Sequence, residues 1–213
     1  MSWTPTKLTR AQVEERRLAA VPLLRRGKLS QSEIARRLVE IICFDEVGWS
    51  FREKLAKTWA RRGRTPVLKR KGWRKAFQSC VGLSLRGRIF KRHFHRSINA
   101  DCVIVALEHI LRQVGGGFIL VWDSSRPHRS RKVAEFLARH PEVIVAWLPA
   151  YAPELNPEEY CHGNVKERMR NQQPDTVEEI EQQVNRGFNR LRRRPDLLLS
   201  FFHHAGLRVN QLF

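Results

Sequence analysis

"NADCVIVALEHILRQVGGGFILVWD", residues 99–123, changes its hydrophobic period once, and the change decides the fold class. From Ala100 to Val114 apolar residues recur at helical spacing, and Gly115–Gly117 stop the helix. "FILVWD" is then a short buried strand that ends on an acid, Asp123. Outward from this pair, "SRKVAEFLARH" (130–140) reads as a helix and "EVIVAWLP" (142–149) as a strand. Upstream, the β-branched run at 39–44, "VEIICF", predicts a strand ending at Asp45, with a turn at Gly48. Short strands are expected near "KTWARR" (57–62) and "TPVLKR" (65–70), and another over "KAFQSCVGLSL" (75–85). The class is α/β with a mixed sheet.

Residues 10–38 read as helices, and "LSQSEIARRL" opens with Ser30 and Glu33 at capping-box spacing, like the first helix of a helix-turn-helix. Leu38 then runs directly into the 39–44 strand where a turn and recognition helix should follow, so the join reads as a deletion. The expected organisation is a truncated helix-turn-helix-like segment over 1–38, a mixed-sheet α/β domain over 39–171, and a helical tail over 172–213 beginning near Val177.

Composition narrows the partners. Forty Lys+Arg against 21 Asp+Glu give a net charge of +19, which favours a polyanion. Nucleic acid fits better than a membrane surface, because no amphipathic anchor or spanning run accompanies the charge. The N-terminus lacks the apolar centre of a signal peptide, so the expected location is the cytosol or the nucleoid. Four cysteines, three of them alone in apolar segments, read as reduced core thiols. Residues 54–75, "KLAKTWARRGRTPVLKRKGWRK", hold ten Lys/Arg and no acid, with Trp59 and Trp73 interleaved. That suits a surface following a DNA backbone, with Lys69, Arg70 and Lys71 among its contacts, although a solvated hairpin would also account for it.

Three acids stand where α/β sites usually form. Asp45 and Asp123 end strands, and Glu159 follows a strand and a loop in "AYAPELNPEEYCHGNVKERMRN", residues 150–171. Asn156 suits a helix N-cap and Pro157 the first helical position, so Glu159 could serve only a capping box. Helical phase separates the neighbouring acids: Glu158 falls in line with Cys161, Val165 and Met169, a core stripe, while Glu159 shares a stripe with Lys166 and Arg170. Hard carboxylate oxygens converging from separate elements are what two-metal phosphoryl chemistry needs. Arg126, His128 and Arg129 follow Asp123 and could contact a phosphate or simply line a solvated loop. Glu46 alternates to the face opposite Asp45 and reads as structural.

In order, "FDEVGW", "TWARRGRTPVL", "WDSSRPHRSRKVAEFL" and "LPAYAPELNPEEYCHGNVK" resemble the catalytic domain of a DDE transposase of the mariner-related bacterial insertion sequences, over roughly residues 39–171. The resemblance implies a ribonuclease H-like mixed sheet flanked by helices. It implies two Mg²⁺ or Mn²⁺ ions held by Asp45, Asp123 and Glu159, with 35 residues between the last two. It also implies cleavage and strand transfer at transposon ends, DNA as partner, no small-molecule substrate, and a homo-oligomer, a dimer. The chain departs from many relatives at Ser124, where they carry Asn, and at His162, near an aromatic position. The alternative is a defective remnant that binds DNA without specificity or inhibits a full-length enzyme.

Overall fold

The computed structural model describes residues 40–51, 55–67, 76–149 and 152–207. The expected N-terminal helices, the Leu38 join and Lys69, Arg70 and Lys71 lie outside the described residues. Five strands form one sheet: β1 (Ile41–Trp49), β2 (Phe77–Ser84), β3 (Ile89–Phe94), β4 (Phe118–Trp122) and β5 (Val143–Trp147), in the order β3-β2-β1-β4-β5. β1 pairs antiparallel with β2, and β2 with β3; β1 pairs parallel with β4, and β4 with β5. β1 is thus the central strand, where the antiparallel and parallel halves of the mixed sheet meet.

Five helices cover the two faces: α1 (Ala100–Val114), α2 (Arg131–Ala138), α3 (Pro157–Arg168), α4 (Val177–Arg192) and α5 (Pro195–His204). Strand alternation sorts the core into two clusters. Ile42, Phe44, Phe118, Leu120 and Trp122 pack with α1 and α2 through Val103, Leu107, Ile110, Val133 and Phe136. Cys43, Val47, Trp49, Val81 and Leu83 pack with α3, α4 and α5 through Cys161, Val165, Phe188, Leu191 and Phe202. The helices after Val177 therefore share one apolar cluster with α3. The four cysteines are unpaired and buried, as expected.

Local signals explain the ends of the elements. Asn99 caps α1 by accepting from the Cys102 amide, and Gly115 closes it in the left-handed region at φ 66°. Ser130 and Thr176 cap α2 and α4 in the same way. At Gly187 on α4, an added Cβ would lie 2.7 Å from Val165 Cγ1, so a glycine is what allows α4 to approach α3.

Three expectations need correction. No turn forms at Gly48, which pairs with Gln78 inside β1. Val47 and Trp49 continue the apolar alternation beyond it, and fully buried Trp49 donates through Nε1 to Ser79 Oγ at 2.7 Å, so side-chain burial outweighs the glycine. Residues 57–62 and 65–67 form no strand; Trp59 is 100% exposed, and dense like charge leaves this stretch no apolar face to bury. The Asn171 side chain ties its start to the rest of the fold, accepting from the Ala56 amide at 2.9 Å and donating to the Ala56 carbonyl at 3.1 Å. Finally, β3 forms where no strand was expected, because its period-two pattern is carried by basic and aromatic residues rather than by aliphatic ones.

Candidate active site

Asp45 sits on β1 just past its pairing with β4. The register Cys43↔Val121, carried two residues further, puts Asp123 beside Asp45 at the carboxyl end of the parallel pair. α3 arrives from the other direction and is tied down at its first residue. Asn156, 2% exposed, accepts from the Glu158 amide at 3.1 Å as N-cap. Its Nδ2 donates to the Phe44 carbonyl at 3.3 Å and to Asp45 Oδ2 at 3.4 Å. One side chain thus starts the helix and fastens it to the strand that bears Asp45.

The capping-box use of Glu159 is not what forms. The Asn156 amide bonds instead to the Pro153 carbonyl at 2.9 Å, and Glu159 Oε2 lies 2.7 Å from His162 Nε2, with its side chain 41% exposed. The stripes separate as helical phase requires: Glu158, Cys161, Val165 and Met169 are buried, and Lys166 lies near enough to Glu159 to lower its pKa. Glu158 is nonetheless no ordinary core residue. It is fully buried; Oε2 stands 2.8 Å from His162 Nδ1 as a close ion pair out of hydrogen-bond alignment, so both carboxylate oxygens and Nδ1 are without a hydrogen-bonding partner among the described residues.

Asp45, Glu158 and His162 each present a ligand atom within 4.8 Å of the others, the one such metal-compatible group among the described residues. Burial, then the charge of Glu158, pushes Asp45 up to about 9, with His162 opposing. Burial likewise pushes Glu158 to about 7. Glu159 is lowered, first by its hydrogen bond to His162. Burial disfavours charge on His162, but the two glutamates prevail and raise it to about 10. Three carboxylates thus crowd around a single cationic side chain, and both oxygens of buried Glu158 are left without a hydrogen bond among the described residues. That donor set fits a hard divalent cation, with oxygen ligands predominating.

Of the three expected ligands only Asp45 belongs to that 4.8 Å group; Glu159 lies outside it, and so does Asp123. Asp123 Oδ1 accepts from the Ser125 amide at 3.1 Å and lies 2.8 Å from His128 Nδ1. His128, expected on a DNA-facing loop, is 2% exposed. Its ring stacks on Trp122 at 4.0 Å, and its Nε2 meets Glu46 Oε1 at 2.6 Å. With both nitrogens engaged inside the protein, it stands behind Asp123 rather than at the surface; this corrects the expectation for His128. Burial opposes charge on His128, yet Glu46 and then Asp123 raise its pKa above the ordinary value. Glu46 does face the α1/α2 side, but as the partner of His128 it is more than filler. Arg126 and Arg129 are exposed, Lys166 lies 5.8 Å from the Trp49 ring, and Arg170 pairs with Glu167 at 2.5 Å.

Sequence reasoning missed three side chains here: His162, Glu46 as a support, and Asn156 as a tether. A signal existed for His162, which follows Glu158 and Glu159 at i+4 and i+3, the spacings at which helical side chains meet. No sequence signal ties Asn156 to β1, 112 residues away.

A family model for the DDE superfamily endonuclease matches residues 40–181. No protein of curated function matches the chain in sequence. Among solved structures, the chain is similar to a Mos1 mariner paired-end complex with Mn, at a TM-score of 0.56 and 21% identity, covering 98% of this chain and 66% of that one. It is similar to a Mos1 strand transfer complex at a TM-score of 0.56 and 20% identity, covering 98% and 65%. It is also similar to the isolated catalytic domain of Mos1 mariner transposase at a TM-score of 0.51 and 18% identity, covering 98% and 100%. These likenesses establish the ribonuclease H-like fold. The chain spans about two thirds of the length of the Mos1 chains in those complexes.

Proposed function

The chain belongs to the DDE superfamily endonucleases, and from that premise we propose that it is a transposase catalytic unit that cuts DNA strands at transposon ends and joins the freed 3′-hydroxyl to target DNA. The observation that carries the reading is the convergence of Asp45 from β1 and Glu159 from α3 beside the strand end that bears Asp123. These three would hold two Mg²⁺ or Mn²⁺ ions; when bound, such ions activate the attacking oxygen and stabilise the leaving one, so no dedicated side-chain base is needed.

The protein's own part is placement. Asn156 fixes the distance between Asp45 and the first turn of α3. Glu46 and His128 hold Asp123 at the end of β4. Arg126, Arg129, Lys166 and Arg170, with the basic 54–75 stretch including Lys69, Arg70 and Lys71, form the DNA-contacting set, which neutralises phosphates without reading bases. The catalytic unit is read as 39–171, buttressed by the helices of 172–213, with 1–38 as the truncated helix-turn-helix-like segment. We further propose that it works as a dimer on nucleoid DNA. Among the described residues no helix is long and apolar enough to cross a membrane.

The test is nicking of supercoiled DNA in Mn²⁺. Asp45→Asn, Asp123→Asn and Glu159→Gln should each abolish it, while Glu158→Gln should cost about 10–100-fold, the range for residues that orient a ligand. Activity surviving Glu159→Gln but lost with Glu158→Gln would transfer the third position to Glu158.

A further inference from the structure

We propose that His162 is a nitrogen ligand of the metal site through Nε2, and that buried Glu158 is the carboxylate that orients its ring through Nδ1. The inference rests on the reading of Asp45 and Glu159 as metal ligands and adds a donor of a different kind to that site.

The geometry is that of a histidine held at both ends. Nδ1 stands 2.8 Å from Glu158 Oε2, and Nε2 stands 2.7 Å from Glu159 Oε2. Atoms sharing one divalent cation at about 2.1 Å lie roughly 3 Å apart in octahedral geometry, so Nε2 and Glu159 Oε2 are already at neighbouring-ligand spacing. Metal-binding histidines donate their other ring N–H to a carboxylate, which fixes the tautomer and ring orientation. Glu158 Oε2 stands at the distance of that carboxylate, 2.8 Å from Nδ1, although the two are not aligned as a hydrogen bond, and a turn of the carboxylate would let it accept the N–H.

Burial points the same way independently. Glu158 is 0% exposed and presents its carboxylate to the group formed with Asp45 and His162, yet neither oxygen has a hydrogen-bonding partner among the described residues. A carboxylate enclosed with its oxygens unsatisfied is costly unless something else is gained. Replacement by an apolar residue would suit its stripe, where Cys161, Val165 and Met169 follow it in the core. Holding His162 in line with Asp45 and Glu159 is the gain. His162 itself is 6% exposed, so its ring has no other polar outlet.

The consequence is selectivity. Mg²⁺ is a hard ion that takes oxygen ligands, and Mn²⁺, though also suited to oxygen, is a first-row transition ion that tolerates an imidazole better, so one nitrogen donor disfavours Mg²⁺ relative to Mn²⁺.

The experiment loads the full chain with one Mn²⁺ and records electron spin-echo envelope modulation, which detects a coordinated ¹⁴N directly. Wild-type protein should show a histidine ¹⁴N coupling that changes to the ¹⁵N pattern when histidine is ¹⁵N-labelled, a measurement that needs no variant. His162→Ala, or His162→Gln should the alanine variant fail to fold, should lose the coupling. It should bind Mn²⁺ at least about tenfold more weakly, with a smaller change for Mg²⁺. Glu158→Gln should keep the coupling and weaken Mn²⁺ about tenfold or more. Mn²⁺ bound with no nitrogen coupling, in a form that Asp45→Asn abolishes, would overturn the role of His162 and leave the carboxylate site standing. A coupling retained at full affinity in Glu158→Gln would overturn the orienting role. Mn²⁺ binding that is absent, or indifferent to Asp45→Asn, would overturn both this inference and the reading beneath it.

Discussion

Gly187→Ala should destabilise the protein, and the same change should stabilise a Val165→Ala background. The added Cβ would lie 2.7 Å from Val165 Cγ1 and 3.2 Å from Cγ2, where carbon atoms prefer about 3.5–4.0 Å. Valine in a helix has one strongly preferred χ1, so Val165 cannot swing aside and α4 must retreat from α3. Such overpacking costs about 1–3 kcal/mol. Against it stands about 1 kcal/mol gained by replacing a helical glycine with alanine. The net in the wild-type background is a loss of up to about 2 kcal/mol. With Val165 cut to alanine both offending methyls are gone, and the remaining contact, at 3.4 Å from the residue 165 Cβ, is ordinary. The helical gain then stands alone and the sign reverses. Urea unfolding of the four proteins without metal, read as a double-mutant cycle, measures the coupling, expected at about 1–3 kcal/mol. Because α3 also carries Glu158, Glu159 and His162, Gly187→Ala alone should weaken Mn²⁺ binding. Stabilisation of similar size in both backgrounds would refute the claim that this contact sets the spacing of α3 and α4.

Mn²⁺ should raise the melting temperature. At a hundredfold excess over Kd the gain is about 2.7 kcal/mol, or roughly 5–10 °C for a chain of this size, and Asp45→Asn should erase it in differential scanning fluorimetry. Without metal, stability should fall as pH rises from about 5.5 to 8.5. The folded state there keeps protons on Asp45, raised to about 9, on Glu158, raised to about 7, and on His162, raised to about 10, that the unfolded chain has released or is releasing. A urea midpoint higher at pH 8.5 than at 5.5 would contradict this. DNA binding without metal should show little sequence preference. If about six phosphates are neutralised, log K should fall with log[salt] at a slope of roughly −5. A preference above about 10³-fold for terminal-repeat over scrambled duplex would require base readout somewhere in the chain.

Much of the fold was legible because it is written in periods. The switch at Gly115–Gly117 marks α1 and β4, and the Asn-Pro pair marks the start of α3, each through local backbone chemistry. The phase of α3 separates buried Glu158 from half-exposed Glu159, and strand parity separates Asp45 from Glu46. What was not legible depends on contacts between distant residues. β3 hides its alternation under Lys91 and His93, which pack against the neighbouring strand and α4 while their polar ends find Asn185 and Ser79. His128 looks like a surface residue in "SSRPHRS" because nothing nearby in sequence reveals that Trp122 and Glu46 enclose it. The charge-rich 55–67 stretch was read as strands from local β-formers, although it has no ladder partner.

The central position of β1 also bears on how the molecule comes into being. The strand with Asp45 is flanked by β2 and by β4, whose residues follow it by some 30 and 80 positions, and it is clasped by Asn156 from 111 positions away. Contacts of such sequence separation carry a large loop-closure cost and form slowly. The helices can appear early, but a pocket able to hold a cation needs β1, β4 and the first turn of α3 together. During refolding, capture of Mn²⁺ should therefore lag behind the far-ultraviolet signal and coincide with the last step of sheet assembly, making the metal a clock for completion of the chain's topology.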